Sequence, residues 1–464
     1  MQKQENTLET ENITKLFIRL MIPAVISQLV TLAYNMVDRI YVGHISENGD
    51  LALTGLGICM PVTIILSAFA QLIGFGGAPR ISSFLGQHDR CSAERTLGTC
   101  TLCAICVGAA LTGIMFLFSE ACLRLFGASA RTLPFAREYF NIYILGTIPV
   151  ELATGLVFFI TAQGYSRIAM ISVLLGAGTN ILLDPVFIFY FDLGVRGAAI
   201  ATVISQTISC IWVVGFLIRK GQIRLRIKYM RFDKEMLLPA LALGVSPFVQ
   251  IITESLTSIC FNRSLLRYGG NLAVGAMTIF STVMQFAALP LTGIANGAQP
   301  VISYNLGAGK LERVRKCCKL VLKTGLTYSV LLWLVIQQIP TLFPNIFTED
   351  ETLAKYSSSM IQYFFAMLWV MGAQICCQLM FVALGNAKTS LFLALVRKVF
   401  LLPPLILLLP LILPNPVVAV FLAEPITDTL ACAATVTMFV RYYRKNLSSL
   451  QENNRSSMRL PPLQ

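Results

Sequence analysis

Charge is what this 464-residue chain has least of: Asp, Glu, Lys and Arg make up 13% of it, against 56% hydrophobic residues. With a mean hydropathy of +0.71, that balance excludes a soluble globular protein, in which about a quarter of residues are charged. Histidine is almost missing as well. The two present, His44 and His88, belong to no Ser/His dyad or HExxH, and no GxGD-type pair occurs, so an intramembrane hydrolase has no machinery here and the chain reads as no enzyme. Sustained alternation of apolar and polar positions is absent, which removes a β-barrel. The polar start "MQKQENTLETENITK" has no apolar stretch with a small-residue cleavage site behind it, so the first helix is expected to serve as its own insertion signal.

What is there comes in about twelve apolar blocks, each long enough to cross a bilayer at 1.5 Å per residue. The fold class expected is all-α, a polytopic membrane protein of twelve transmembrane helices in two homologous six-helix lobes. The boundaries are a polar segment 1–15, a first lobe 16–218, a basic linker 219–236, a second lobe 237–443 and a tail 444–464 with the composition of a disordered segment. The net charge of +13 points to a cytoplasmic face and to membrane lipid rather than to nucleic acid. Lys and Arg gather in the N-terminal segment, the even-numbered loops and the tail, so both termini are expected in the cytoplasm of a plasma-membrane protein. The linker "RKGQIRLRIKYMRFDKE" reads as a solvated strap, with an anionic-lipid patch as the alternative. The thirteen cysteines sit mostly inside apolar blocks and make no disulfide framework. Cys100, Cys103 and Cys106 have metal-like spacing but no His or carboxylate beside them, so they read as small hydrophobes.

The stretch "NILLDPVFIF", Asn180 to Phe189, puts a carboxylate inside a membrane span. Such a placement costs roughly 2.5 to 3.5 kcal/mol on insertion scales, and a charge kept there marks an ion or substrate path. Pro185 removes its own N–H and frees the carbonyl of Ile181, while Asn180 lies one turn before Asp184 on the same face. A structural Asp capping a helix kink is the alternative. In helix 1, Ser27, Thr31, Tyr34 and Asp38 form one polar stripe, which is expected to face a cavity. Arg39, the next residue, offers pairing with Asp38 or snorkelling as a structural explanation. Glu151 lies inside helix 4 and Glu254 inside helix 7. Helix 11 carries Arg397 and Lys398, and helix 12 carries Glu424 and Asp428; mutual neutralisation of these pairs stays open.

The chain repeats itself. A shift of about 221 residues lays "GGAPRISSFLGQ" from Gly76 on "GAQPVISYNLGA" from Gly297, and "TAQGYSR" on "VALGNAK"; a shift of 224 lays Pro23 and Asp38-Arg39 on Pro247 and Asn262-Arg263. Each half holds an even number of spans, so the two share one orientation about an axis along the membrane normal, an arrangement suited to alternating access. Asp38 and Asp184 have no counterparts in the second half, which assigns ion coupling to the first.

The set "NMVDRIYVGH", "GAPRISSFLGQ" with its echo, and "NILLDPVFIF" resembles the multidrug and toxic compound extrusion (MATE) family over nearly the whole chain, from Leu16 to about Tyr443. The resemblance implies two six-helix lobes in a V and antiport of inward Na⁺ or H⁺ against cationic amphipathic drugs or dyes. No cofactor is implied beyond the coupling ion. It puts the cation on Asp38, Asn180 and Asp184, the Na⁺ ligands if the ion is sodium, with Tyr34 beside them. Gln28, Asn35, Glu254 and Gln285 are the residues expected to touch substrate. Some members use a helix 7 glutamate with a helix 10 aspartate; Glu254 matches the first, but helix 10 has Ala373 and Gln374 where the second would stand. Arg39 departs from the family's commoner small polar residue. Two carboxylates in a low-dielectric lobe cannot both stay charged without a cation, so ion and drug are expected to compete, with Pro23 and Pro185 as flexing points. The alternative is a flippase for a lipid-linked saccharide or anionic lipid, whose cavity needs the cations that Arg39, Arg263, Arg397 and Lys398 offer. A monomer is favoured.

Overall fold

The computed structural model describes residues 7–45 and 49–448, apart from the side chains of Arg39, residues 49–53 and Ser448. Every regular element among these residues is helical: α1 Ile13–Gly43, α2 Gly49–Gly86, α3 Arg90–Leu117, α4 Ser119–Leu125, α5 Leu133–Leu145, α6 Thr147–Ala162, α7 Ser166–Pro185 and α8 Gly194–Arg219, then α9 Lys234–Gly307, α10 Leu311–Gln338, α11 Leu342–Phe347, α12 Glu351–Phe364, α13 Leu368–Ala383, α14 Ala387–Leu395, α15 Leu402–Ile412 and α16 Pro416–Tyr442. Nine spans long and apolar enough to cross a membrane occur among the described residues, one of them formed by α14 and α15 together through the π-turn between them. The pairs α5/α6 and α12/α13 add two bent spans, broken by 60° and 55°. Helix α9, 74 residues long, is two spans joined at Gly270, where φ is 65° and ψ −161°. Only glycine holds that conformation without strain, and counting both arms brings the spans to twelve.

The expected helices 4 and 10 are therefore each two half-helices. The expected ends of helices 2 and 8 also move: the Gly- and Pro-rich stretches stay helical through Gly86 and Gly307. Pro79 and Pro300 are tolerated because neighbouring helices pack at van der Waals contact around them and the small residues let backbones approach. A Cβ on Gly86 would strike the carbonyl of Tyr304, and one on Gly307 would strike the carbonyl of Ser83. Glycines 221 positions apart thus sit reciprocally in the seam between the lobes. The repeat also returns inside each lobe, where Ser82 Oγ donates to the Ala162 carbonyl at 2.8 Å and Ser303 Oγ to the Ala383 carbonyl at 2.7 Å.

At this same end Leu8 is buried against Gly164. Arg313 Nη2 donates to the carbonyls of Leu8 and Glu11 at 3.2 and 2.8 Å, Asn305 Nδ2 donates to Leu8 at 3.2 Å, and Lys310 pairs with Glu9 at 2.7 Å. The Lys310 hydrogen bond holds the Glu9 carboxyl below its ordinary range. The N-terminal segment is thereby a bolt between a first-lobe loop and the second lobe.

The linker keeps Arg219, Lys220, Arg224, Lys228 and Lys234 exposed, as a solvated strap would, and is also docked at several points. Ile223 is buried and its N–H donates to Gln163 Oε1 at 3.2 Å. Arg95 bonds Asp233 at 3.1 and 2.5 Å, Arg226 pairs with Glu94 at 3.2 Å, and Thr99 Oγ1 donates to the Arg231 carbonyl at 3.0 Å. Two of the linker's charges, Arg226 and Asp233, are thus paired against α3. No cysteine is in a disulfide among the described residues.

The apolar interior of the first lobe is divided. One cluster holds Leu156, Phe159, Val213 and Leu217 towards the linker end, and another holds Phe140, Val150, Ile188, Val195 and Ala199 towards the far end. The polar residues of α6, α7 and α8 lie between them. The second lobe has one continuous core, with Phe280, Phe364, Phe365 and Phe421 packed ring against ring.

Candidate functional site

In the polar layer of the first lobe Asp184 is fully buried and Asn180 nearly so. Their spacing of four on α7 stacks them on one face, and Asn180 Nδ2 donates to Asp184 Oδ1 at 3.1 Å. The other oxygens, Asn180 Oδ1 and Asp184 Oδ2, receive no hydrogen bond from any described residue. Pro185 ends the regular α-helix, and the chain continues as a π-turn over Val186–Tyr190. Such turns widen a helix and collect at functional sites.

Helix α1 packs along α7 and brings Asp38 within electrostatic reach of Asp184. Asp38 also acts on Tyr34, one turn earlier, and on Tyr139 of α5. Tyr139 stacks on Tyr143 with ring centroids 5.8 Å apart and meets the Thr202 hydroxyl of α8. The three acceptor oxygens of Asn180 and Asp184, with Asp38 across from them, make a buried cluster rich in oxygen. That chemistry accepts a cation, as either a proton on a carboxylate or a metal ion of the Na⁺ type between oxygens. Among the described residues no three His, Cys, Asp or Glu side chains cluster as a multidentate metal centre.

Two members of the expected helix 1 stripe turn elsewhere. Ser27 Oγ donates to the Pro23 carbonyl at 2.8 Å and Thr31 Oγ1 to the Ser27 carbonyl at 2.9 Å, so these hydroxyls satisfy α1's own backbone beside its proline. Gln28 and Asn35 are half-buried on α1, and Gln285 is exposed on the second arm of α9; none of the three hydrogen-bonds another described residue. Glu254 lies on the first arm of α9 with 72% of its side chain exposed, 4.0 Å from Lys398 Nζ.

The intramembrane charges of the second lobe pair with one another across helices rather than within them. Arg397, in a π-turn over Val396–Leu401, bonds Asp428 Oδ1 from Nη2 at 2.7 Å and from Nε at 3.0 Å, and Glu424 Oε1 at 3.0 Å. Two acids against one guanidinium is a dry, closed arrangement. It withdraws Arg397 from any cavity.

Sequence reasoning gave no role to Tyr139, Tyr143, Thr202 or Glu151. Glu151 carried the available signal, a charge inside an apolar span. The aromatic and hydroxyl residues carried none, because Tyr and Thr are ordinary in membrane helices.

A family model described as MatE matches residues 23–186 and 248–423. The multidrug export protein MepA of Staphylococcus aureus strain N315 is 26% identical over 401 residues, covering 86% of this chain and 88% of MepA. MepA of Staphylococcus saprophyticus is 25% identical over 442 residues, covering 95% and 96%. Among solved structures, a MATE protein in complex with MaL6 superposes with a TM-score of 0.89 at 21% identity over 96% of this chain and 99% of that one. A multidrug resistance MATE family transporter in an outward-facing conformation gives 0.87 at 21% identity over 96% and 98%.

Proposed function

The chain belongs to the MatE family of multi-pass membrane transporters, and from that premise we propose that it exports cationic amphipathic compounds across the cell membrane in exchange for an inward-moving cation held at Asn180, Asp184 and Asp38. The observation that carries the reading is the pair of buried oxygens, Asn180 Oδ1 and Asp184 Oδ2, left without donors beside a second aspartate. Buried carboxylates in this state require a positive partner, and a proton or Na⁺ supplies it. When the cation enters from outside, the repulsion between Asp38 and Asp184 is relieved, α1 draws in at Pro23 and the π-turn after Pro185 takes up the change. Drug then leaves as the cavity narrows. Exposed Glu254 offers a cationic drug its charge, and Gln28, Asn35 and Gln285, each without another hydrogen bond, offer it polar contacts.

The bolted end, with the linker and both termini, is read as cytoplasmic, and the transporter works as a monomer. The alternative of a flippase for anionic lipid loses its main support, because Arg397 is neutralised by Glu424 and Asp428.

The test is ethidium efflux from inside-loaded proteoliposomes under an imposed Na⁺ gradient, then a pH gradient, each repeated with Asp184→Asn. Gradient-driven efflux that the variant loses supports the reading and identifies the ion. Normal efflux by the variant sinks it.

A further inference from the structure

Glu151 stands outside the coupling trio, and its surroundings are unlike theirs. It lies at the start of α6, one turn past the 60° break at Gly146. It is fully buried, between the two apolar clusters of the lobe, and neither carboxyl oxygen meets a hydrogen-bond partner among the described residues. From α3, the thiol of Cys103 faces it, and the backbone at Gly108 lies so close that a Cβ there would stand 3.4 Å from Glu151 Cγ. From α5, the Tyr143 hydroxyl faces it. Helices α2, α7 and α8 also pack against α6, yet no charged side chain from them acts on Glu151; Asp184 on α7 is engaged with Asp38 instead.

An ionised carboxylate in such a place would lack both a counter-charge and a donor, at a cost of several kcal/mol. One phenol and one thiol do not make the shell of several oxygens that a metal ion needs. A proton is the cation that fits.

We propose that Glu151 is a further proton-binding carboxyl of this transporter, which holds a proton while buried beside the break at Gly146 and releases one proton per cycle as the bend between α5 and α6 changes. The step balances. Water that reaches Glu151 takes the proton and leaves a carboxylate, and the reverse transfer restores the neutral acid. The proposal rests on the antiport reading but not on which ion the Asp38–Asp184 pair takes.

The experiment uses purified full-length protein. Infrared spectroscopy at neutral pH reads the carbonyl stretch of a buried neutral carboxylic acid, in wild type and in Glu151→Gln, whose neutral amide keeps the shape. A pH-indicator dye reads the protons released when ethidium is added. A carboxylic band that Glu151→Gln removes, with release smaller by about one proton per chain, the capacity of one carboxyl, supports the proposal. No such band in wild type overturns it, and so does a band present with release unchanged, which marks a buried structural acid. Should Glu151→Gln fail to fold, wild type alone serves: the carboxylic band should diminish when ethidium is added, and a band left unchanged overturns the proposal. The infrared arm needs no substrate, so a chain that binds no ethidium fails the antiport reading while its band still decides whether Glu151 holds a proton.

Discussion

Asn180 and Asp184 are joined one helical turn apart by a single hydrogen bond of 3.1 Å. It engages one carboxylate oxygen and leaves Asn180 Oδ1 and Asp184 Oδ2 without donors in a site closed to solvent. The amide thus does two things: it orients the carboxylate and adds a neutral oxygen to the cation's surroundings.

Replacing that amide separates the roles. A hydrogen bond to a charged group contributes about 1.5 to 3 kcal/mol, so Asn180→Ala should raise the cation concentration needed for half-maximal efflux about tenfold or more. Ethidium binding without a gradient should be nearly unchanged. Flux titrated against the driving ion, beside equilibrium dye binding, checks both.

Arg397 serves a different end. Removing it alone strands Glu424 and Asp428 as uncompensated buried acids, a loss of about 3 to 5 kcal/mol. Arg397→Met should therefore lower the thermal midpoint in detergent sharply. The triple variant Arg397→Met with Glu424→Gln and Asp428→Asn should recover most of it, because no buried charge then lacks a partner. Thermal unfolding followed by tryptophan fluorescence reads both variants.

The seam glycines predict a conformational effect. Gly86→Leu puts a side chain where the Tyr304 carbonyl stands, so the bolted end of the lobes should open. Cysteines introduced at Ser83 and Tyr304 should become more reactive to a water-soluble maleimide in that variant, and Gly307→Leu should do the same from the other side.

The docked linker predicts a pH response of known sign. Burial would raise the Asp233 carboxyl, but the hydrogen bond and charge of Arg95 outweigh it and hold it below the ordinary value. A depressed acid lends stability that is complete above its unfolded value, about 3.9, and is lost as pH falls through the folded value. Protection of residues 223–233 in hydrogen exchange should accordingly be the same at pH 7 and pH 5. Asp233→Asn should lose it at both.

The sequence by itself determined the spans, the duplication and the Asn180–Asp184 pair. A bilayer admits only helices or barrels, a 221-residue echo needs no coordinates to be seen, and two residues four apart on a helix meet whatever surrounds them. It also marked Ser82 and Ser303 as equivalent, and the two hydrogen bonds they make to Ala162 and Ala383 are the folded form of that echo. Tertiary structure alone decided that Arg397 answers Glu424 and Asp428 from another helix, that a basic linker docks on α3, that helices 4 and 10 break, and that Glu151 is buried without a partner among the described residues beside the first of those breaks. Each of these depends on the distance and rotation between helices far apart in the chain. Periodicity tells which face of a helix is polar, but not which neighbour that face will meet.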